Sequence, residues 1–309
     1  MLEKMTKNID RLVIPFPSGM QEVNCYLIEG DQGYTVMDTG TYSNEAKAGW
    51  EKVLRSGMVI EKVVLTHTHQ DHIGLAKWFQ QEKGVPVYTS TISYNAMKKR
   101  RETNVRHNID HLIKRHGGLG VPEKMADDSF IYDFEPDGLF EENDKILLGN
   151  DVYDTIWTPG HARDHVCFYS EEKQVMIIGD HLLKHISPVI GLWLGEESDV
   201  LQDYYDSLER IKTYHVRVAL PGHGEQIDHL AERVDEVRER HDQRLQEVLD
   251  GIHNQWKTAH DICQDMYGML HIVLWLSPFM ATLTRLIYLE GLGRVERKTV
   301  DGEVLFRAC

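Results

Sequence analysis

The chain has 309 residues, 41% of them hydrophobic and 27% charged, which describes a globular protein with room for one large domain plus a small one, or two ordinary ones. Its formal net charge of −15 argues against nucleic-acid binding through the global field, although a local basic groove stays open. The start Met1-Leu2-Glu3-Lys4-Met5 lacks the apolar core of a signal peptide, no segment reaches the ~20 apolar residues of a membrane span, and Cys25, Cys167, Cys263 and Cys309 form no CxxC pair, so a cytoplasmic protein with reduced thiols and no membrane partner is expected.

Strand-like runs at 12–15, 24–29 and 34–38 are separated by turns at Gly19, Gly30 and Gly33. The third ends at Asp38-Thr39-Gly40, and 44–54 then has helical character. Residues 62–65 make the next strand, 73–83 a helix and 85–88 a further strand. From 92 to 140 the rhythm breaks. Residues 92–116 read as one long helix or two, carrying Lys98-Lys99-Arg100-Arg101, and the run from Gly117 to Pro122 stops them. Strands resume at 145–148, 153–157, 166–169 and 175–178, so a layered α/β or α+β sandwich is predicted. Past about residue 230 the pattern turns helical, over 231–251, 258–267 and 278–290. Residues 294–298 and 303–307 then flank an Asp301-Gly302 hairpin turn. Three helices closed by a two-stranded wing predict a winged-helix-like domain over 230–309. It follows a larger domain over 1–229 that carries 92–140 as a helical insertion.

The run Thr66-His67-Thr68-His69-Gln70-Asp71-His72 follows the apolar Val63-Val64-Leu65, where a buried strand would give way to a loop. Imidazole nitrogen and carboxylate oxygen suit zinc and similar borderline cations at about 2.0–2.2 Å. In an extended segment His67 and His69 point to one side, while Asp71 and His72 follow as the chain turns. One ion would struggle to use all four and keep an open position for water, so the spacing suggests a two-metal hydrolytic site. With 17 histidines, chance clusters are the competing reading, but three histidines and an aspartate packed behind a buried strand tell against it. Further ligands stand at strand ends. Thr158-Pro159-Gly160-His161 lets His161 join His67 and His69, and Gly179-Asp180 offers a carboxylate able to bridge two ions. Pro221-Gly222-His223-Gly224 lets His223 complete a second group with Asp71 and His72. A glycine before each ligand permits a sharp turn and a close approach.

Taken in order, His-x-His-x-Asp-His, Thr-Pro-Gly-His, Gly-Asp and Pro-Gly-His-Gly make residues 12 to about 229 resemble the metallo-β-lactamase-fold hydrolase superfamily. The resemblance implies an α+β, four-layer αββα sandwich with two metals at one edge of the sheets. Those would be two zinc ions, or iron or manganese on the same donors. It also implies that Asp38 supports the ligands from behind, where the plainer reading is a turn or N-cap aspartate. The wing and the run His161-Ala162-Arg163-Asp164-His165 look like the branch that includes β-lactamase-like protein 2, which holds both ribonuclease-like members and thioesterases. His165 is then a catalytic candidate, donating to an oxyanion, or else a residue that orients a ligand.

Two ions about 3.5–4 Å apart would share a bridging water and lower its pKa, with Asp71 or Asp180 taking the proton. No Gly-x-Ser-x-Gly elbow is present. His69 stands where flavodiiron proteins resemble a glutamate pattern, and Asp180 where many zinc β-lactamases carry cysteine. The expected reaction is hydrolysis of an ester-like bond, thioester or lactone ahead of phosphodiester. A ribonuclease is the enzymatic rival, and a nucleic-acid-binding regulator with a structural metal is the rival of another class. The 92–140 insertion would lie beside the site, its basic run meeting a small anionic or acyl substrate or else forming a solvated face. Ile109, Leu112 and Ile113 would cover an acyl pocket or pack. Residues 230–309 hold thirteen acids against ten Lys and Arg, and the third helix has Arg285 as its lone base. Packing on the larger domain, or homodimerisation, is therefore expected of that module ahead of nucleic-acid binding.

Overall fold

The computed structural model describes residues 2–16, 20–121, 129–253 and 255–309; the turn positions Gly19 and Pro122 lie outside them. Seven strands form one sheet in chain order: β1 (Leu2–Lys4), β2 (Ile9–Phe16), β3 (Gln21–Gly30), β4 (Gly33–Met37), β5 (Ile60–Val64), β6 (Val87–Ser90) and β7 (Gly138–Phe140). A second sheet of five runs in chain order through β8 (Lys145–Leu148), β9 (Asp151–Trp157), β10 (Val166–Ser170), β11 (Val175–Gly179) and β12 (Val218–Pro221).

Side-chain alternation along these strands builds the layers. In β3, Tyr26 and Ile28 share a core with Val166 and Phe168 of β10, which lies between the two sheets. Cys25 and Leu27 point the other way, onto Trp50 of α1 (Asn44–Arg55) and Phe79 of α3 (Ala76–Lys83). In β10, Cys167 and Tyr169 turn outward onto Tyr204 and Leu208 of α6 (Val200–Lys212). Helix, sheet, sheet, helix is the order expected from the sequence. Strands β10 and β11 are buried at every position because both their faces are covered.

Of the helical segments read from the sequence, two differ in the structure and one open alternative, at 92–116, is resolved. The segment 73–83 is two pieces, α2 (Gln70–Ile73) and α3, because Gly74 packs against the backbone of residues 40–42 and the Leu75 N–H turns to Thr39 Oγ1 at 3.0 Å. Residues 92–116 are two helices, α4 (Thr91–Glu102) and α5 (Val105–Arg115), the second opened by Asn104, which caps His107 N–H at 2.9 Å. The last helix starts earlier than Pro278. After α7 (Leu230–Gly251) and α8 (Ala259–Tyr267), α9 runs Ile272–Gly291 with the proline inside it. The missing N–H frees the carbonyl of Leu274, an exposed residue, so water can satisfy it. The short β13 (Lys257–Thr258) and the hairpin of β14 (Val295–Val300) and β15 (Glu303–Ala308) complete a third sheet, ordered β13-β15-β14. Asp301 and Gly302, at φ of 51° and 89°, close that hairpin as the sequence predicts.

Helices α7, α8 and α9 share one apolar core with α5, α6 and the outer face of the second sheet. Ile109, Leu112 and Ile113 lie within that core, so the apolar side of α5 packs and covers no pocket.

Candidate metal centre

Strand register gathers the scattered motifs. Strands β4 and β5 run parallel with Met37 beside Val64, so Asp38 and Thr66 leave adjacent strand ends. The loop after β5 carries His67 and His69, and the first turn of α2 carries Asp71 and His72. Pairing of Trp157 with Val166 makes 158–165 a closed loop holding His161, and parallel β11 and β12 place Asp180 beside His223. Two backbone bonds tie the sheets together here: Val166 N–H to Thr66 O at 2.9 Å and Asn24 N–H to Gly222 O at 2.7 Å.

All seven expected ligands come together as two adjacent groups. They are His67, His69 and His161, then Asp71, His72, Asp180 and His223, with the donor atoms of each group within 4.8 Å of one another. Asp180 Oδ2 lies 3.5 Å from His161 Nε2, 3.4 Å from His72 Nε2 and 3.2 Å from His223 Nε2, so one carboxylate faces both groups. Asp71 Oδ2 is 3.3 Å from His223 Nε2.

The outward nitrogens fix the rings. His67 Nδ1 meets Thr66 Oγ1 at 2.9 Å, His72 Nδ1 meets Asp38 Oδ2 at 2.8 Å, His161 Nδ1 meets Val189 O at 2.9 Å, and His223 Nδ1 meets Glu22 O. Each of these four rings therefore aims Nε2 inward. Three of those atoms, on His67, His72 and His223, are buried without a hydrogen-bond partner, as is Asp180 Oδ1. Such orphans cost about 1–3 kcal/mol apiece when nothing satisfies them. His69 Nδ1 lies 2.9 Å from His161 Nε2, a pair of nitrogens converging on one point. Nitrogen and carboxylate donors converging in this way fit divalent metal ions.

Electrostatics favours the ligating form at His67, His69, His161, Asp71 and Asp180, whereas His72 and His223 hold a proton that an ion must displace. Burial, with neighbouring imidazoles behind it, holds His67 and His69 well below the usual histidine range, and burial lowers His161 too. Burial works the same way on His72 and His223, but there the carboxylates outweigh it, Asp180 foremost. His72 is raised well above its ordinary value and His223 is pushed up to about 10. Conversely, Asp71 and Asp180 stay below the ordinary carboxylate range despite burial, because His72 and His223 face them.

Asp38 lies directly behind His72 and Thr66. One carboxylate oxygen accepts Thr66 N–H at 2.8 Å, and the other accepts Thr66 Oγ1–H at 2.7 Å and faces His72 Nδ1. His165 sits behind the centre. Its Nε2 accepts Asp180 N–H at 3.1 Å and its Nδ1 meets Thr158 Oγ1 at 2.8 Å, so neither nitrogen is left to donate to a substrate oxygen. Gly179 is required there: a Cβ would stand 2.5 Å from His165 Nε2, and its φ is +50°. At Gly222 a Cβ would overlap Asp180 Oδ1 and stand 2.7 Å from His72 Cε1.

Sequence reading missed the outer scaffold. Asn24 Nδ2 bonds Pro221 O and Gly224 O, both at 2.9 Å, and Tyr26 Oη–H donates to Pro221 O at 2.7 Å, together holding the His223 loop. Asp164 Oδ2 accepts Thr68 N–H at 2.9 Å. The available signal was a polar residue, Asn24, inside the otherwise apolar buried stretch 23–28 of β3. Beside His69 and His161 a cavity opens between α4 and residues 191–200.

A mixed α+β sandwich presenting buried histidine and aspartate donors at its strand ends defines a metallo-hydrolase. Residues 19–223 match the model of the metallo-beta-lactamase superfamily, and the chain belongs to that superfamily. It is 26% identical to a probable metallo-hydrolase of Bacillus subtilis (strain 168), covering 86% of this chain and 87% of the relative. It is 25% identical to the beta-lactamase-like protein 2 homolog of Caenorhabditis elegans, covering 86% and 79%. An atrochrysone carboxyl ACP thioesterase of Aspergillus fumigatus is 24% identical, over 76% of this chain and 61% of its own. Among solved structures, a metallo-beta-lactamase family protein of Thermus thermophilus superposes with a TM-score of 0.87 at 26% identity, over 99% of this chain and all of the other.

Proposed function

We propose that this protein is a dinuclear metal hydrolase of small acyl substrates, cleaving a thioester or lactone ahead of a phosphodiester. The observation that carries the reading is the shared position of Asp180 Oδ2, within 3.2–3.5 Å of a donor nitrogen on either side. His67, His69 and His161 would hold one ion and Asp71, His72 and His223 the other, with zinc preferred and iron or manganese suited to the same donors. When bound, such ions supply an activated water at neutral pH and polarise the oxygen of the scissile group. The protein's part is to hold the ligating nitrogens in one tautomer and to receive the proton at Asp71 or Asp180. His165 acts as a positioning residue by fixing the Asp180 backbone. The thioesterase among the relatives supports the acyl preference.

Residues 230–309 fit a winged-helix-like module used for packing, set behind a catalytic domain of residues 1–229. In support, Phe279, Met280, Leu283, Leu286 and Leu289 of α9 are all buried, and Arg285, also buried, bonds Tyr267 Oη at 3.3 Å, away from any groove. A cytoplasmic setting fits four free cysteines. No helix among the described residues is long and apolar enough to cross a membrane.

Metal analysis should return two ions per chain. His67→Ala and Asp180→Asn should each lower acyl-thioester hydrolysis on the order of 10²–10³-fold, the scale of losing one electrostatic element of a reaction centre. Single-stranded RNA cleaved in place of thioesters would overturn the acyl preference. Less than one ion per chain, with His67→Ala unchanged in every assay, would overturn the hydrolase reading itself.

A further inference from the structure

We propose that Arg100 anchors an anionic group of the substrate while the substrate's apolar portion lies against Trp193. This rests on the acyl-hydrolase reading of the neighbouring centre and names the substrate class it would take.

The basic run of α4 does not act as one patch. Lys98 Nζ lies 4.5 Å over the Tyr94 ring, Lys99 pairs with Glu196, and Arg101 pairs with Glu135 at 2.8 Å. Arg100 is placed differently. It lines the cavity that also takes in His69 and His161, and its charge is felt at the His69 ring. Its guanidinium sits 5.3 Å over the Tyr132 ring, which fixes its plane, and its Nε is shut away from solvent without a hydrogen-bond partner. No carboxylate pairs with it among the described residues.

The acids around the same cavity are already engaged. Asp164 accepts Thr68 N–H, and Glu196 holds Lys99. The other arginine of the lining, Arg163, is exposed at the surface. Two cations of the lining are thus without a paired carboxylate among the described residues, Arg163 at the surface and Arg100 over Tyr132; the one held in place is the Arg100 guanidinium, a planar fork suited to carboxylate or phosphate. In a chain of net charge −15, an anionic ligand needs such a local cation to dock.

Apolar surface completes the cavity. The Trp193 indole lies over Gly191, where a Cβ would stand 2.8 Å from the ring, and Leu192 and Ala162 add to the wall. An acyl compound with its scissile group at the His69 and His161 end and a carboxylate or phosphate at Arg100 matches this distribution. The anion could belong to the acyl group or to the thiol leaving group.

The test uses the metal-loaded full chain and Arg100→Met, with non-hydrolysable thioether analogues of acyl-cysteamine titrated by calorimetry. One analogue carries a carboxylate on the acyl side, one a phosphate on the thiol side, and one no charge. The wild type should prefer one charged analogue over the neutral one by about 10- to 100-fold, the scale of a hydrogen bond to a charged group. Arg100→Met should erase that preference with metal content retained, and Arg100→Lys should restore part of it. Which charged analogue is preferred identifies the side that bears the anion. Equal binding of all three by the wild type, or a loss in Arg100→Met as large for the neutral analogue as for the charged ones, would overturn the proposal. Charge-selective binding without cleavage of the matching thioesters would instead sink the acyl-hydrolase reading and leave the anion site standing.

Discussion

Asp38 adopts a φ of +59°, a conformation uncommon outside glycine and asparagine. What holds it there is three partners: Thr66 N–H, Thr66 Oγ1 and His72 Nδ1. Carboxylates behind a ligating imidazole fix its tautomer and raise its basicity. Asp38→Asn should therefore weaken metal binding by about 10- to 100-fold, read by competition with a chromophoric chelator, while the fold persists. Unchanged affinity would reduce Asp38 to a turn residue. At this scale the site was largely legible. The ligands stand in short clusters or next to a glycine within a few residues of a strand end, so local pattern alone finds them. Asn24 and Tyr26 were not legible as scaffold, because what they hold becomes adjacent only after the sheets pack together; Asn24 and Pro221 are 197 positions apart.

Among the elements, α8 shows how a short helix is made to start. Thr258 Oγ1 accepts Asp261 N–H at 3.1 Å, and Asp261 Oδ2 accepts Thr258 N–H at 3.1 Å, a reciprocal capping box. Gly117, at the end of α5, packs against that threonine so closely that a Cβ would stand 2.5 Å from its Oγ1. Thr258→Ala should lower unfolding stability by about 1 kcal/mol in a denaturant titration, with Thr258→Ser recovering most of it. A change in midpoint no larger than the error of the fit would refute the cap's contribution. Strands β10 and β11 were readable as short apolar runs, and the Asp301-Gly302 hairpin by its turn chemistry. Helix α6 was not read at all, although Asp199 caps it and Leu201, Tyr204, Leu208 and Ile211 mark its buried stripe. Helix α9 was cut short because proline usually ends a helix, whereas burial of Trp275, Phe279 and Leu283 along it outweighs one lost bond.

For the whole molecule, the centre links stability to pH and to metal. His223 is raised to about 10, so its contribution to the metal-free fold is complete below the ordinary histidine value near 6.5 and fades as pH rises through about 10. His72 is shifted in the same direction. Asp71 and Asp180 are lowered, so their contribution is present above the ordinary carboxylate value and is lost as pH falls through their depressed ones. The metal-free protein should thus lose thermal stability from pH 7 toward pH 10. Metal must displace the histidine protons, so its binding should release protons and strengthen with pH. At 100 times its Kd an ion adds about 2.7 kcal/mol, visible as a melting temperature that falls on chelation and returns on zinc addition. A melting temperature indifferent to both chelator and pH would contradict this linkage.

The bonds from Val166 N–H to Thr66 O and from Asn24 N–H to Gly222 O cross between the two sheets at the very edge where the ligands emerge. Opening either sheet there separates donors that one ion would hold together. Amide hydrogen exchange should reveal this coupling: metal should slow exchange at Asn24 and Val166 together, by a similar factor, though they belong to different sheets. Slowing confined to one of them would mean that the sheets open independently. Where the two slow together, bound ions act as a clasp between two half-molecules, and the chain's resistance to local opening is set at its reaction centre.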